Sequence, residues 1–199
     1  MIPAIPERAD QALKLQSDLI SLIGNRSIEV LVLFDNKQRS IGLKRDALVQ
    51  ISKGKYLSFI DDDDKPSEGY VDTIYKALLD GPDIVTFKSK ATINGKDYII
   101  NFGLYNENEQ LHDGEVKRGP FLPCVFKSEP ARAERFKDVG YSEDWDWAKR
   151  VIKGFKKETH LNEVLHRYIY SDSSTAAPRS RNEINKNGTQ INGKIQILK

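Results

Sequence analysis

The run I-E-V-L-V-L-F at residues 28 to 34 is apolar at nearly every position and rich in β-branched side chains. A strand with one face in water alternates polar and apolar residues, whereas one covered on both faces reads like this, which points to the parallel sheet of an α/β protein. Asp35-Asn36 stands at the carboxyl end of the run. A second strand-like segment, Y-L-S-F-I at 56 to 60, ends in Asp61-Asp62-Asp63-Asp64-Lys65. Ligands of open α/β sheets bind beyond the carboxyl ends of the strands, so both acidic endings mark one candidate site.

The segments around these runs complete a βαβαβ pattern. I-P-A-I-P-E-R is a short first strand ending in a loop, and residues 9 to 23 follow as a helix with Ala12, Leu15, Leu19, Leu22 and Ile23 at helical spacing. Gly24-Asn25 closes it. Residues 40 to 53 form a second helix on Ile41, Leu43, Leu48, Val49 and Ile51, and a third runs from about Ser67 to Leu79, before Gly81-Pro82. D-I-V-T-F-K and D-Y-I-I-N-F read as strands joined through the hairpin signal Asn94-Gly95. Residues 104 to 120 carry no apolar period and are expected to be a mobile loop. Further helices are expected around 129 to 135 and from Ser142, and V-L-H-R-Y-I-Y (164 to 170) is a late strand. From Pro178 onward five basic residues face one acidic, which divides the chain into a domain at 1–177 and a basic arm at 178–199.

The 199 residues, 39% of them hydrophobic, suffice for one buried core. With 31 basic and 29 acidic residues the net charge is +2, which argues against a general nucleic-acid coat, so function rests on local sites. Cys124 is the single cysteine, which excludes an intrachain disulfide and a cysteine-based zinc site and fits a reducing compartment. No window approaches ~18 continuous apolar residues, and the N-terminus lacks a secretory pattern. The expected location is cytoplasmic, without a membrane span.

Four adjacent carboxylates need cations. Mg²⁺ or Mn²⁺, with positions left open for phosphate oxygens, is the usual partner. A solvated acidic turn, or charge that complements the N-terminus of the following helix, accounts for the run equally. The stretch Y-S-E-D-W-D-W-A poses a similar choice. Ser142 is a candidate N-cap that puts Glu143 and Asp144 in the first helical turn, where an aspartate aimed into a cleft can accept a proton. The competing reading has both acids complementing the helix dipole while Trp147 packs in the core. Trp145 and Trp147 are ~200° apart around a helix, so at most one is buried in that wall and the other can stack on a sugar ring.

Taken in order, these stretches resemble the family-2 glycosyltransferases, which have the GT-A fold, over roughly Ile2 to Thr175. I-P-A-I-P-E-R is similar to the family's first strand and donor-site loop, which places Pro6 and Arg8 at the donor. E-V-L-V-L-F-D-N resembles the second strand, whose terminal Asp35 would contact the nucleoside. S-I-G-L-K-R-D-A-L-V-Q-I-S-K-G-K-Y-L-S-F-I-D-D-D-D is similar to the stretch leading into the family's DXD motif. By that resemblance Lys44, Arg45, Asp61 and Asp62 lie at the donor, and Asp63 with Asp61 holds the metal, Mn²⁺ or Mg²⁺. S-E-D-W-D-W-A looks like the family's ED motif, which implies Asp144 as catalytic base with Glu143 as the alternative; Trp145 and Trp147 would stand on the acceptor side. L-H-R-Y-I-Y-S-D-S-S-T resembles a segment in which many members carry a metal-binding histidine, a position that Tyr170 fills here, four residues after His166. Asp46 replaces an asparagine common in the family, and no Q-x-x-R-W motif of processive synthases is present.

The implied fold is α/β, a Rossmann-like GT-A single domain with a mostly parallel central sheet. The implied activity is inverting, non-processive, metal-dependent transfer of one sugar from a nucleotide sugar, with a UDP-sugar foremost, to an acceptor hydroxyl that the sequence leaves open. Two rivals remain: a metal-dependent nucleotidyltransferase, for which no Gly-rich or basic loop follows the first strand, and a non-catalytic carbohydrate- or calcium-binding module. The basic arm also admits a polyanion such as DNA as partner.

Overall fold

The computed structural model describes residues 1–93, 95–106, 110–112 and 115–170. The basic arm and Asn94 of the expected hairpin lie outside the described residues. Strand β1 (Ile2–Ala4) leads through a short 3-10 turn at Pro6–Arg8 into helix α1 (Ala9–Ile23), followed by β2 (Val32–Phe34), α2 (Ile41–Ile51) and β3 (Tyr56–Leu57). After the acidic run come β4 (Lys65–Pro66), α3 (Tyr70–Leu78), β5 (Ile84–Ile93) and β6 (Lys96–Phe102). Then follow β7 (Gln110–His112), β8 (Glu115–Arg118), β9 (Val125–Lys127), α4 (Ser128–Ala133), α5 (Glu143–Val151) and β10 (Glu158–Tyr170). No helix among the described residues is long and apolar enough to cross a membrane.

The α/β class stands, and the sheet is mixed. β1 pairs with β2, β5 with β10 and β6 with β8 in parallel. The pairs β3–β9, β5–β9, β5–β6, β7–β8 and β4–β10 are antiparallel. The sheet expected to be mostly parallel therefore interleaves parallel and antiparallel pairs along its width. One antiparallel pair follows from a short connection: β5 ends at Ile93 and β6 starts at Lys96, with Gly95 at φ 79°, which permits only an antiparallel return. Backbone bonds join the β1–β2 pair to the larger sheet in one layer, since the Met1 amine donates to Ser58 O (2.9 Å), Ile60 N to Met1 O (3.1 Å) and Phe59 N to Leu122 O (3.2 Å).

Apolar side chains fill both faces of this layer. On one side Leu48 and Val49 of α2, Phe59, Phe126, Phe136 and Trp147 form a core; on the other, Leu15 and Leu19 of α1 and Tyr70 and Ile74 of α3 close over Phe87 and Leu165. The 28–34 run does serve both faces, with Leu31 and Leu33 against the first core and Val30 and Val32 against the second. Yet only Val32–Phe34 is strand, paired on one side by β1, and Phe34 is 39% exposed. It is an outer strand, and that position explains its partial cover. The loop expected at 104–120 also contains structure: β7 and β8 pair with each other, and β8 runs beside β6 with Val116 buried. Ladder bonds come from the backbone, so a polar segment can join a sheet edge with one apolar anchor.

Candidate functional site

Helix α2 presents three consecutive charged residues to the interior: Lys44, Arg45 and Asp46 are 3%, 4% and 6% exposed. The helix starts at Ser40, whose hydroxyl accepts from Leu43 N (3.2 Å). Close approach of the 137–139 segment fixes its rotation. Gly42 N donates to Val139 O, and a Cβ at Gly42 would lie 2.0 Å from Lys137 O. Burial of a charge is tolerated only with a partner, and each of the three has one. Lys44 Nζ donates to Ala4 O (2.9 Å) and lies 2.7 Å from Asp35 Oδ1. Asp46 accepts from Arg135 Nε (2.8 Å) and Phe136 N (3.2 Å). Arg45 Nη2 meets both oxygens of Asp61 (2.8 and 2.9 Å), its Nη1 contacts Glu143, and Asp144 Oδ2 is 3.8 Å away.

The aspartates divide by parity. A turn closed by Asp64 N to Asp61 O (3.0 Å) leaves the Asp61 and Asp63 side chains 36% and 38% exposed, while those of Asp62 and Asp64 are 1% and 7%. Asp62 accepts from Ile5 N (3.1 Å) and lies 2.7 Å from Arg8 Nη2; Asp63 Oδ2 lies 2.7 Å from Arg8 Nη1. Pro6 is the neighbour of Ile5 and opens the 3-10 turn that brings Arg8 over the carboxylates. Asp64 reaches His166 Nε2 at 2.9 Å, and Ser89 Oγ sits 2.8 Å from His166 Nδ1. Burial pushes Asp63 up to about 6, with the other three aspartates adding to the shift against Arg8. Burial raises Asp62 and Asp64 as well, opposed by Arg8 and His166.

On the facing wall, α5 starts at Ser142, which holds a left-handed conformation (φ 59°) and makes no side-chain cap. The expected hydroxyl cap is therefore absent; Ser142 contributes its carbonyl, which accepts from Asp146 N. Glu143 is buried against Arg45, and burial raises its pKa to about 7, with Arg45 opposing and Asp144 and Asp61 adding to the rise. Burial also works against the charge on Arg45, but Asp61, Glu143 and Asp144 outweigh it and hold the guanidinium above the ordinary arginine range. Asp144 keeps 20% of its side chain exposed and accepts from Trp145 N through Oδ1 (2.7 Å).

Several expected donor and acceptor residues are paired or packed within the protein. Asp35 accepts from Lys37 N (3.1 Å) and Arg39 N (2.9 Å) and pairs with Lys44. Burial disfavours its charge, but these bonds prevail and hold it below the usual carboxylate range. Lys44 and Arg45 are buried and ion-paired, Lys44 with Asp35 and Arg45 with Asp61 and Glu143. Trp147, expected near the acceptor, is fully buried: it stacks on Phe136 (4.5 Å between centroids, 13°) and donates to Glu134 O (3.1 Å). Trp145 is only partly buried. It lines a cavity of about 280 Å³ with Leu104, Asn106, Gly119, Pro120 and Lys149, whose Nζ lies 4.5 Å from the indole centroid.

The resemblance assigned Asp64 neither a donor nor a metal role and put Tyr170 where the family's histidine stands; the Tyr170 side chain lies outside the described residues. The structure pairs Asp64 with His166. Alternation along the late strand puts His166 on the same face as Tyr170, four residues later, but nothing local names its partner. Among the described residues no group of three or more His, Cys, Asp or Glu side chains converges as a metal cage. Asp61 and Asp63 nevertheless suit a hard cation that takes one or two carboxylates and completes its shell with water and phosphate oxygens. Calcium, which takes six to eight oxygens, finds less there.

No protein-family model and no curated protein sequence matches the chain. Its fold is similar to that of Staphylococcus aureus TarS. The structure of TarS residues 1-349 in complex with UDP superposes with TM-score 0.65 at 13% identity, covering 86% of this chain and 60% of that one. The complex with UDP-GlcNAc gives TM-score 0.62 at 10% identity, covering 89% and 59%. The chain thus spans less than two thirds of the TarS segment, and at these identities the likeness is one of fold, α/β with a mixed sheet in a GT-A-like arrangement.

Proposed function

We propose that this chain is a glycosyltransferase that moves one sugar from a nucleotide-diphosphate sugar to an acceptor hydroxyl. The observation that carries the reading is the shared guanidinium: Arg45 bonds Asp61 of the acidic turn while lying 3.8 Å from Asp144 at the start of α5. A carboxylate suited to a metal–diphosphate and one suited to deprotonation therefore lie around the same guanidinium. The TarS structures with UDP and UDP-GlcNAc support a nucleotide sugar as donor.

Asp144 is the base in this reading, because its carboxylate reaches solvent whereas Glu143 is buried on Arg45. It takes the acceptor proton as the new bond to the anomeric carbon forms and the bond to the diphosphate oxygen breaks, a contribution of ~10²–10⁴-fold. Inversion follows if the acceptor approaches from the side opposite the diphosphate. Arg45 fixes the spacing between Asp61 and the α5 wall, and Trp145 offers a flat surface to the acceptor. Mn²⁺ or Mg²⁺ bound at Asp63 and Asp61 would neutralise charge on the departing diphosphate.

The test is a thermal-shift screen of nucleotide sugars with and without Mn²⁺, followed by hydrolysis assays on each hit. Metal-dependent stabilisation by a UDP-sugar is expected. A screen in which no sugar nucleotide raises the melting temperature in a metal-dependent way overturns the proposal.

A further inference from the structure

Arg8 closes the acidic turn from the β1 side. Its two terminal nitrogens each lie 2.7 Å from a different aspartate, Nη1 from Asp63 and Nη2 from Asp62. It stands just beyond the carboxyl end of β1 and immediately before α1, where open α/β sheets receive anionic ligands. The two carboxylates depend on it unequally. Asp62 is buried and retains Ile5 N at 3.1 Å if Arg8 departs. Asp63 is the more exposed, and among the described residues Arg8 is its only hydrogen-bond donor.

Resting on the metal–nucleotide reading of the site, we propose that Arg8 is an exchangeable counter-ion that holds Asp63 in the free protein and passes to the donor's diphosphate when a divalent cation takes that carboxylate. A guanidinium and a divalent cation on one carboxylate face repel each other, so the cation alone meets a closed site. The diphosphate brings negative charge and acceptor oxygens matched to the guanidinium fork. Its arrival relocates Arg8 and frees Asp63. Metal and nucleotide consequently bind with positive coupling, and by reciprocity each raises the affinity of the other by the same factor.

The experiment measures Mn²⁺ affinity from the electron paramagnetic resonance signal of free aqueous Mn²⁺, on the full chain, with and without UDP. For the wild type, UDP is expected to tighten Mn²⁺ binding ~10-fold or more, within the usual range of coupling. Arg8→Gln is expected to bind Mn²⁺ several-fold tighter without UDP and to lose most of the enhancement by UDP. Arg8→Lys keeps one charge but cannot span both aspartates, and should fall between the two; it carries the measurement if the glutamine variant does not fold. Unchanged or weaker UDP-free Mn²⁺ binding in the variants, with the UDP enhancement intact, overturns the inference and leaves the functional reading standing. If the wild type binds neither UDP nor Mn²⁺, both fall.

Discussion

His166 Nε2 lies 2.9 Å from Asp64 Oδ2 across a sequence separation of 102 residues. With Ser89 Oγ on the other ring nitrogen, the pair ties the acidic turn to β5 and β10 inside the protein. Removal of one partner from a buried pair leaves an uncompensated polar group, so His166→Ala should cost ~3 kcal/mol in urea unfolding. His166→Gln should recover part of that loss. If His166→Ala unfolds at the wild-type midpoint, the pair does not anchor the turn.

Donor binding and turnover should separate by residue. Asp63→Ala is expected to lose metal-dependent donor binding, while Asp144→Asn keeps it and loses ~10²–10⁴-fold in turnover. Calorimetry with the donor and Mn²⁺, beside a product assay, reads both. Equal loss of donor affinity in the two variants would assign Asp144 to binding and leave the base unidentified.

Glu143 gives stability a pH dependence. Its carboxyl titrates at about 7 in the folded protein, against 4.5 for an ordinary glutamate. Between those values the native state binds more protons than the unfolded chain, so this contribution is complete below pH 4.5 and is lost as pH rises through about 7. At ~1.4 kcal/mol per unit the loss amounts to at most ~3.5 kcal/mol. Denaturant midpoints taken across this window should fall for the wild type and show a flatter trend in Glu143→Gln; parallel trends would mean that another group titrates.

The two tryptophans should respond in opposite ways. Trp147→Ala empties the centre of the aromatic cluster and is expected to cost ~3–5 kcal/mol. Trp145→Ala should change stability by less than ~1 kcal/mol and instead weaken the acceptor-dependent rate while leaving donor hydrolysis intact. Melting curves combined with the two rates distinguish these outcomes.

Local patterns announced where the site lies, and long-range pairing decided how it is built. Apolar runs ending in Asp35 and Asp61 located the carboxyl ends of neighbouring chain segments, and the Glu143-Asp144 pair announced the start of α5. The inward turn of Lys44, Arg45 and Asp46 was not legible, because Ile41, Leu43 and Ile51 suggested a different buried face and Ile51 is in fact 57% exposed. Those charges find partners 9 to 98 residues away along the chain, as Arg45 does in Glu143. No periodicity records such distances. The pairing of β8 with β6 was hidden for a related reason, since backbone bonds leave little trace in side-chain pattern.

The alternation within the acidic turn makes the site sensitive to length as well as to composition. A chain with one aspartate fewer or more would still display the same motif to the eye. It would nonetheless shift the frame by one residue, exchanging the side chains that turn inward to Ile5 and His166 with those that are more exposed. A site of this kind can therefore be lost through an indel that a motif search would pass over.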